Sequence, residues 1–261
     1  MIVGCGILKV MDGVSRFLGR ADDYAAARPG YPAPLLPYLR EKAFLEPGAR
    51  VADVGSGTGI LSRLLLRSGA VVYGVEPNSD MRAMAEAAFA EEPLFMSLDG
   101  SAEEMPFDDG GLDLIACGQS FHWFDRDKAR EEFSRTLHAV GWVLLLWNTL
   151  DESAGGVSEA VQHILKEAEG GQLPELSKGS RQDLKSWYGS KTYETKVMKH
   201  THLLQEEQII PYARSRSYWP EPGSVRGMEL EAKLLSATSS HLNNGAITLK
   251  LSCEVHLGQL G

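Results

Sequence analysis

Three glycines at alternate positions, Gly55, Gly57 and Gly59, separate the apolar run Val51-Ala-Asp-Val54 from the helical pattern Ile60 to Leu66. Leu61, Leu64 and Leu65 share one face of that helix. A strand that enters a helix through bare backbone admits positive φ and lets a ligand approach the main chain. Dinucleotide and phosphate sites use similar loops, but the details here differ. The dinucleotide fingerprint needs glycine where Ile60 stands, and a P-loop needs a Gly-Lys-Ser/Thr run that is absent. Instead Asp53 lies two positions before the first glycine. A buried carboxylate at a strand end requires a partner, either a cationic ligand amine or ordered backbone donors.

The loop belongs to an alternating pattern. Strands are expected at Val51–Val54, Ala70–Val75, Leu112–Cys117 and Trp142–Trp147, with helices at Met81–Phe89 and Arg126–Leu137 between them. Strands alternating with helices imply an α/β fold whose mostly parallel sheet carries helices on both faces. Ligands then bind at the carboxyl ends of the strands. Before this core, Asp22–Arg28 and Pro34–Phe44 read as helices broken by Pro29-Gly30-Tyr31-Pro32. After it, Val157, Val161, Ile164, Leu165 and Ala168 share a helical face, and the polar stretch Gly170–Ser190 reads as a lid. The tail alternates from Ile247 to Val255, which predicts an edge or near-edge strand closing the sheet.

Composition excludes several classes. The chain has 261 residues, 43% hydrophobic and 23% charged, enough to bury a core without disulfides or metal. Its formal net charge of -9 opposes phosphate backbones, so no nucleic-acid partner is expected. Cys5, Cys117 and Cys253 are too few and too scattered for a zinc knuckle or disulfide framework, and no metal is expected. The apolar stretch Trp142–Trp147 is far short of the ~20 residues that span a bilayer, and Met1–Val10 lacks the pattern of a signal peptide. The expectation is a soluble cytoplasmic protein with no membrane partner.

The Asp53–Gly59 loop resembles motif I of the class I S-adenosylmethionine-dependent methyltransferases, in their methyltransferase type 11 domain form. The Asp99–Phe107 and Gly110–Ile115 segments resemble that family's following motifs. Tyr24–Pro32, Gln119–Asp125, Trp147-Asn148 and Arg214–Tyr218 are similar to a subgroup that includes trans-aconitate methyltransferase-like small-molecule enzymes. The resemblance covers roughly residues 15 to 260. It implies a Rossmann-like fold with a seven-stranded sheet and a helical lid insertion. The domains expected are an N-terminal extension (1–20), a cofactor-binding core (21–150), a helical cap (151–192), and the remaining strands and helices of the same domain (193–261).

The resemblance also implies site residues. S-adenosylmethionine would lie on Asp53, Gly55, Ser56, Gly57 and Gly59, leaving S-adenosylhomocysteine as product. Glu76, followed by Pro77, would receive the ribose hydroxyls, and Met81 would pack on adenine, although a methionine at helical spacing also suits the core. Ser101, Ala102 and Glu103 would lie beside the adenine; many relatives carry Asp where Ser101 stands. Tyr24, Arg28 and Gln119 complete the cofactor set, Arg28 as a two-pronged partner for a carboxylate or as an ordinary helix-end arginine. His122, Trp123 and Trp147 are candidates for the substrate pocket, with His122 as general base or as a packed histidine, and Trp123 as an aromatic wall or as core. Arg214 and Arg216 read as a solvated helix end. The expected activity is in-line methyl transfer to a small-molecule carboxylate or hydroxyl. The alternatives are a cofactor-binding protein without transfer, or a methyltransferase of proteins.

Overall fold

The computed structural model describes residues 27–151, 153–170, 182–189 and 192–261. Seven strands form one sheet in the order β3-β2-β1-β4-β5-β7-β6. They are β1 (Arg50–Val54), β2 (Val71–Val75), β3 (Phe95–Leu98), β4 (Leu112–Gly118), β5 (Leu137–Leu150), β6 (Tyr193–Gln205) and β7 (Ala246–Gly258). β1 to β5 pair in parallel, while β7 runs antiparallel between β5 and β6, so the sheet is mixed. β2 lies on one side of β1 and β4 on the other. That reversal is a topological switch point, and it opens a crevice at the carboxyl end of β1.

Parallel strands are buried on both faces and read as nearly unbroken apolar runs, which is why β1, β4 and β5 are visible in the sequence. On one face, Val51, Leu114, Ala116, Leu144 and Leu146 pack under α1 (Leu35–Ala43) and α2 (Ile60–Leu66). On the other, Ala52, Val54, Ile115, Cys117, Val143, Leu145 and Trp147 pack under α4 (Arg126–Thr136). The helix α3 (Ser79–Ala88) follows β2, with Asn78 Oδ1 accepting the amide hydrogens of Asp80 and Met81 at its start. A third cluster joins the far part of β7 to α5 (Gly156–Glu169), and further to α7 (Ile209–Arg214) and α8 (Val225–Ser239).

The tail strand β7 is near-edge, with β6 alone outside it. Strand β6 is illegible in sequence because Val197 and Leu203 point outward, each 58% exposed, while His200 and His202 share the inward face with Met198. The expected lid over 151–192 has described parts that pack on the sheet instead. α5 buries Val161, Ile164 and Leu165 in the third cluster, and α6 (Leu184–Tyr188) buries Leu184, Trp187 and Tyr188 on the α4 face. The rest of that segment, like the extension 1–20, Tyr24 and most of the expected helix Asp22–Arg28, lies outside the described residues. No helix among the described residues is long and apolar enough to cross a membrane.

Candidate functional site at the carboxyl end of β1

Asp53 sits one residue before the end of β1 and is 1% exposed. Ser62 Oγ, one turn into α2, donates to Asp53 Oδ2 at 2.6 Å, while Oδ1 is buried without a hydrogen-bond partner. Burial pushes the Asp53 carboxyl up to about 7, against the opposing effect of the Ser62 hydrogen bond. The loop above it depends on glycine at both ends. Gly55 has φ +67, and a Cβ there would stand 2.5 Å from Ser120 Cβ. Gly59 has φ +82, and its Cβ would meet the Phe89 ring at 2.3 Å. Gly57, between them, has φ +55.

Glu76 follows the end of β2 and ties this loop to the neighbouring one. Its Oε2 accepts the Gly57 amide hydrogen at 2.9 Å and its Oε1 that of Asn78 at 3.0 Å. Burial raises the Glu76 carboxyl, and those two backbone donors partly offset the rise. Each oxygen keeps a second lone pair. Beyond it, Met81 is buried in the first turn of α3 and Pro77 is exposed. Ala102 is buried; Ser101 Oγ accepts the Glu103 amide hydrogen at 3.3 Å, and Glu103 Oε1 accepts that of Asp125 at 2.8 Å. Glu103 thus anchors the start of α4 at the rim of the same crevice.

On the other side of β1 an open pocket lies over the loop, its walls including Arg28, Tyr31, Asp53, Ser56, Gln119 and Asn148. Tyr212 and Arg216 line it as well. Gln119 follows β4 with φ +61, a left-handed backbone rare outside glycine, and its Nε2 donates to the Asn148 carbonyl. Ser120 Oγ donates to the Val54 carbonyl at 2.7 Å and locks the ends of β4 and β1 together. Asn148 Nδ2 donates to the Gly30 carbonyl at 3.0 Å, and His200 Nε2 lies 2.8 Å from Asn148 Oδ1. That oxygen only accepts, so the ring nitrogen carries the proton. Burial, followed by the nearby His202, lowers the His200 pKa and favours the neutral ring. His202 Nε2 donates to the Ala27 carbonyl at 2.9 Å. Arg28 Nη2 donates to the Ser215 carbonyl at 2.8 Å. The segment 27–31 is thereby held over the pocket by β5, β6 and the turn after α7.

The structure brings together Arg28, Asp53, Ser56 and Gln119 in the pocket, with the glycine loop and Glu76 beside it. It places the expected substrate residues elsewhere. Trp147 is 1% exposed and packs edge-on against Phe121 and His256, on the face opposite the pocket. Side chains alternate along β5, so Asn148, on the face of Leu144 and Leu146, is the residue that reaches the site. His122 and Trp123 occupy a short 3₁₀ turn with ring centroids 4.9 Å apart, and neither lines the pocket. Of the two arginines read as solvated, Arg214 pairs with Glu231 through two contacts of 2.7 and 3.0 Å, whereas Arg216 is a pocket residue. Tyr31, Asn148 and Tyr212 went unrecognised; strand parity alone would have found Asn148. No group of three or more His, Cys, Asp or Glu among the described residues is arranged to hold a metal.

Residues 52–145 match the family model described as "Methyltransferase domain". The chain is 32% identical over 227 residues to an uncharacterized methyltransferase of Mycobacterium tuberculosis, covering 85% of each chain. An uncharacterized methyltransferase of Schizosaccharomyces pombe is 31% identical over 159 residues, 60% of this chain and 62% of that one. Among solved structures, a protein of Anaeromyxobacter dehalogenans assigned as a type II methyltransferase superposes with a TM-score of 0.62 at 17% identity, over 89% and 98% of the two chains. The YcgJ protein of Bacillus subtilis gives 0.53 at 20% identity, over 87% and 98%. These two likenesses establish the fold.

Proposed function

The chain belongs to the methyltransferase-domain family, and on that premise we propose that it transfers a methyl group from S-adenosylmethionine to a small organic carboxylate or hydroxyl in the cytoplasm. One observation carries the reading: a buried carboxylate oxygen, Asp53 Oδ1, has no donor and faces a glycine loop at the switch point. Such an atom calls for a cation, and the methionine half of S-adenosylmethionine carries an ammonium group. The remaining residues fit the same molecule. Arg28 would take its carboxylate, the free lone pairs of Glu76 would take the ribose hydroxyls, and Met81 with Ala102 would border the adenine.

When bound, S-adenosylmethionine supplies a methyl carbon on a sulfonium that keeps the bonding electron pair as the acceptor oxygen takes the methyl. The protein therefore needs no covalent intermediate. Its task is to hold the acceptor in line and to exclude water, and orientation of this kind lowers a barrier by up to ~7–11 kcal/mol. Segment 27–31 and the turn after α7 supply the walls for that task. The small-molecule acceptor agrees with the resemblance to trans-aconitate methyltransferase-like enzymes.

Calorimetry with S-adenosylmethionine and S-adenosylhomocysteine tests the donor. Both should bind the wild type and fail to bind Gly57→Val, whose side chain would cover the backbone; no heat at millimolar ligand with the wild type would overturn the reading. Tritiated methyl donor added to a cell extract tests the acceptor. Label in the small-molecule fraction is expected. Label in protein would make this a protein methyltransferase, and donor binding without label would make it a binding protein.

A further inference from the structure

We infer that His200 and His202, on β6, are positioning residues for the wall segment 27–31, His202 acting directly and His200 through Asn148. The inference rests on the methyl-donor reading above, under which the two rings set how firmly that wall closes over the donor.

The segment forms one side of the pocket, which Arg28, Pro29 and Tyr31 line. It fits closely against the sheet. A Cβ on Gly118, at the end of β4, would stand 2.3 Å from the Tyr31 hydroxyl, so a small shift of the segment redraws the pocket. Pro29 lies within it and Pro32 follows it, and neither offers an amide hydrogen. Its carbonyls are accordingly its handles, and two of them are held from β6. His202 Nε2 lies 2.9 Å from the Ala27 carbonyl. Asn148 Nδ2 donates to the Gly30 carbonyl at 3.0 Å, and His200 Nε2 stands 2.8 Å behind it at Asn148 Oδ1. A third tie, from Arg28 to the Ser215 carbonyl, comes from the turn after α7.

The relay from His200 to Gly30 has a single polarity. The Gly30 carbonyl only accepts, so Asn148 turns its amide nitrogen toward it and its oxygen toward β6. That oxygen requires an N–H, which puts the His200 proton on Nε2. A flipped amide would set oxygen against the Gly30 carbonyl and N–H against N–H. His200 therefore holds Asn148 in the one orientation that grips Gly30. Burial, the first cause for each ring, lowers both histidine pKa values and favours the neutral rings. The mount is rigid, because β6 pairs with β7 along its whole length from Tyr193 to Gln205. Residues two apart on a strand face one way, which brings both rings to the same segment. Neither histidine is among the residues lining the pocket, so any effect on a ligand passes through the wall.

The test combines hydrogen exchange on the ligand-free chain with calorimetry of S-adenosylhomocysteine. His200→Phe and His202→Phe keep an aromatic ring but remove the N–H. In each, the amides of Arg28, Gly30 and Tyr31 should exchange about tenfold faster than in the wild type, while those of β1 stay unchanged. The Kd for S-adenosylhomocysteine should rise about 3- to 30-fold. His200→Gln, whose side-chain amide can donate to Asn148 Oδ1, should bring Kd back to within about threefold of the wild type. In an Asn148→Ala background, His200→Phe should change Kd by less than about twofold. The same loss in both backgrounds overturns the relay. Unaltered exchange in the folded variants overturns the inference, as does faster exchange at an unchanged Kd. Should His200→Phe lose its native circular dichroism spectrum, His202→Phe carries the same two measurements at Ala27. Faster exchange in variants of a chain that binds no S-adenosylhomocysteine would instead sink the donor reading and leave the anchorage standing.

Discussion

The carboxylate of Glu76 accepts the Gly57 amide hydrogen at 2.9 Å, so the acid that ends one strand holds the middle of the loop that ends its neighbour. On the proposed reading, loop shape and donor recognition therefore depend on the same side chain. Glu76→Ala should strip partners from the Gly57 and Asn78 amides and weaken S-adenosylhomocysteine binding by about 1.5–3 kcal/mol. Calorimetry reads the loss. An unchanged Kd would contradict the placement of the ribose.

Asp53 gives a signed dependence on pH. Its folded pKa of about 7 stands above the ~3.9 of an unfolded aspartate, so the folded chain binds more protons than the unfolded one between those values. Its contribution to stability is therefore fully present below about pH 4 and is lost as pH rises through 7. Relative to Asp53→Asn, the wild type should lose stability across that window in denaturant titrations. Donor binding should run the other way, because an ammonium favours the ionised carboxylate. Affinity should rise from pH 6 to pH 8, with proton release seen as a buffer-dependent binding enthalpy.

His122→Ala removes a ring that does not line the pocket. Turnover should stay within about threefold of wild type, as expected for a carboxylate acceptor, and its pH profile should keep its shape. A fall on the order of 10²–10⁴, the usual contribution of a general base, would put His122 back into the chemistry.

Trp147→Ala should cost about 3–5 kcal/mol of stability, as expected for emptying a large buried aromatic. Donor affinity measured well below the melting point should be unchanged. A selective loss of acceptor binding at full stability would contradict its place in the core.

Four of the five parallel strands, β1, β2, β4 and β5, were legible because buried strands are apolar, and α2 begins at Ile60, as its spacing predicts; the edge strand β3, with no fully buried residue, was not. Asp53, Glu76 and the glycines announced themselves through chemistry that few folds require at that spacing. The pocket walls beyond the loop did not. Trp147 looked functional and Asn148 did not, although alternation puts Asn148 on the pocket face. Arg214 and Arg216 look alike in sequence; only the packing of α8 gives the first to Glu231 and leaves the second at the pocket. Strand β6 was hidden because its outward face carries Val197 and Leu203 while its inward face carries two histidines. Each miss concerns a residue whose meaning comes from a partner far along the chain.

The glycine loop and its acids fall inside residues 52–145, whereas Arg28, Asn148, Tyr212 and Arg216 come from the flanks on either side. A substitution at Asn148, Tyr212 or Arg216 can therefore reshape the pocket walls without touching the glycine loop, whereas Arg28 reaches in from the flank to where the proposed donor would lie.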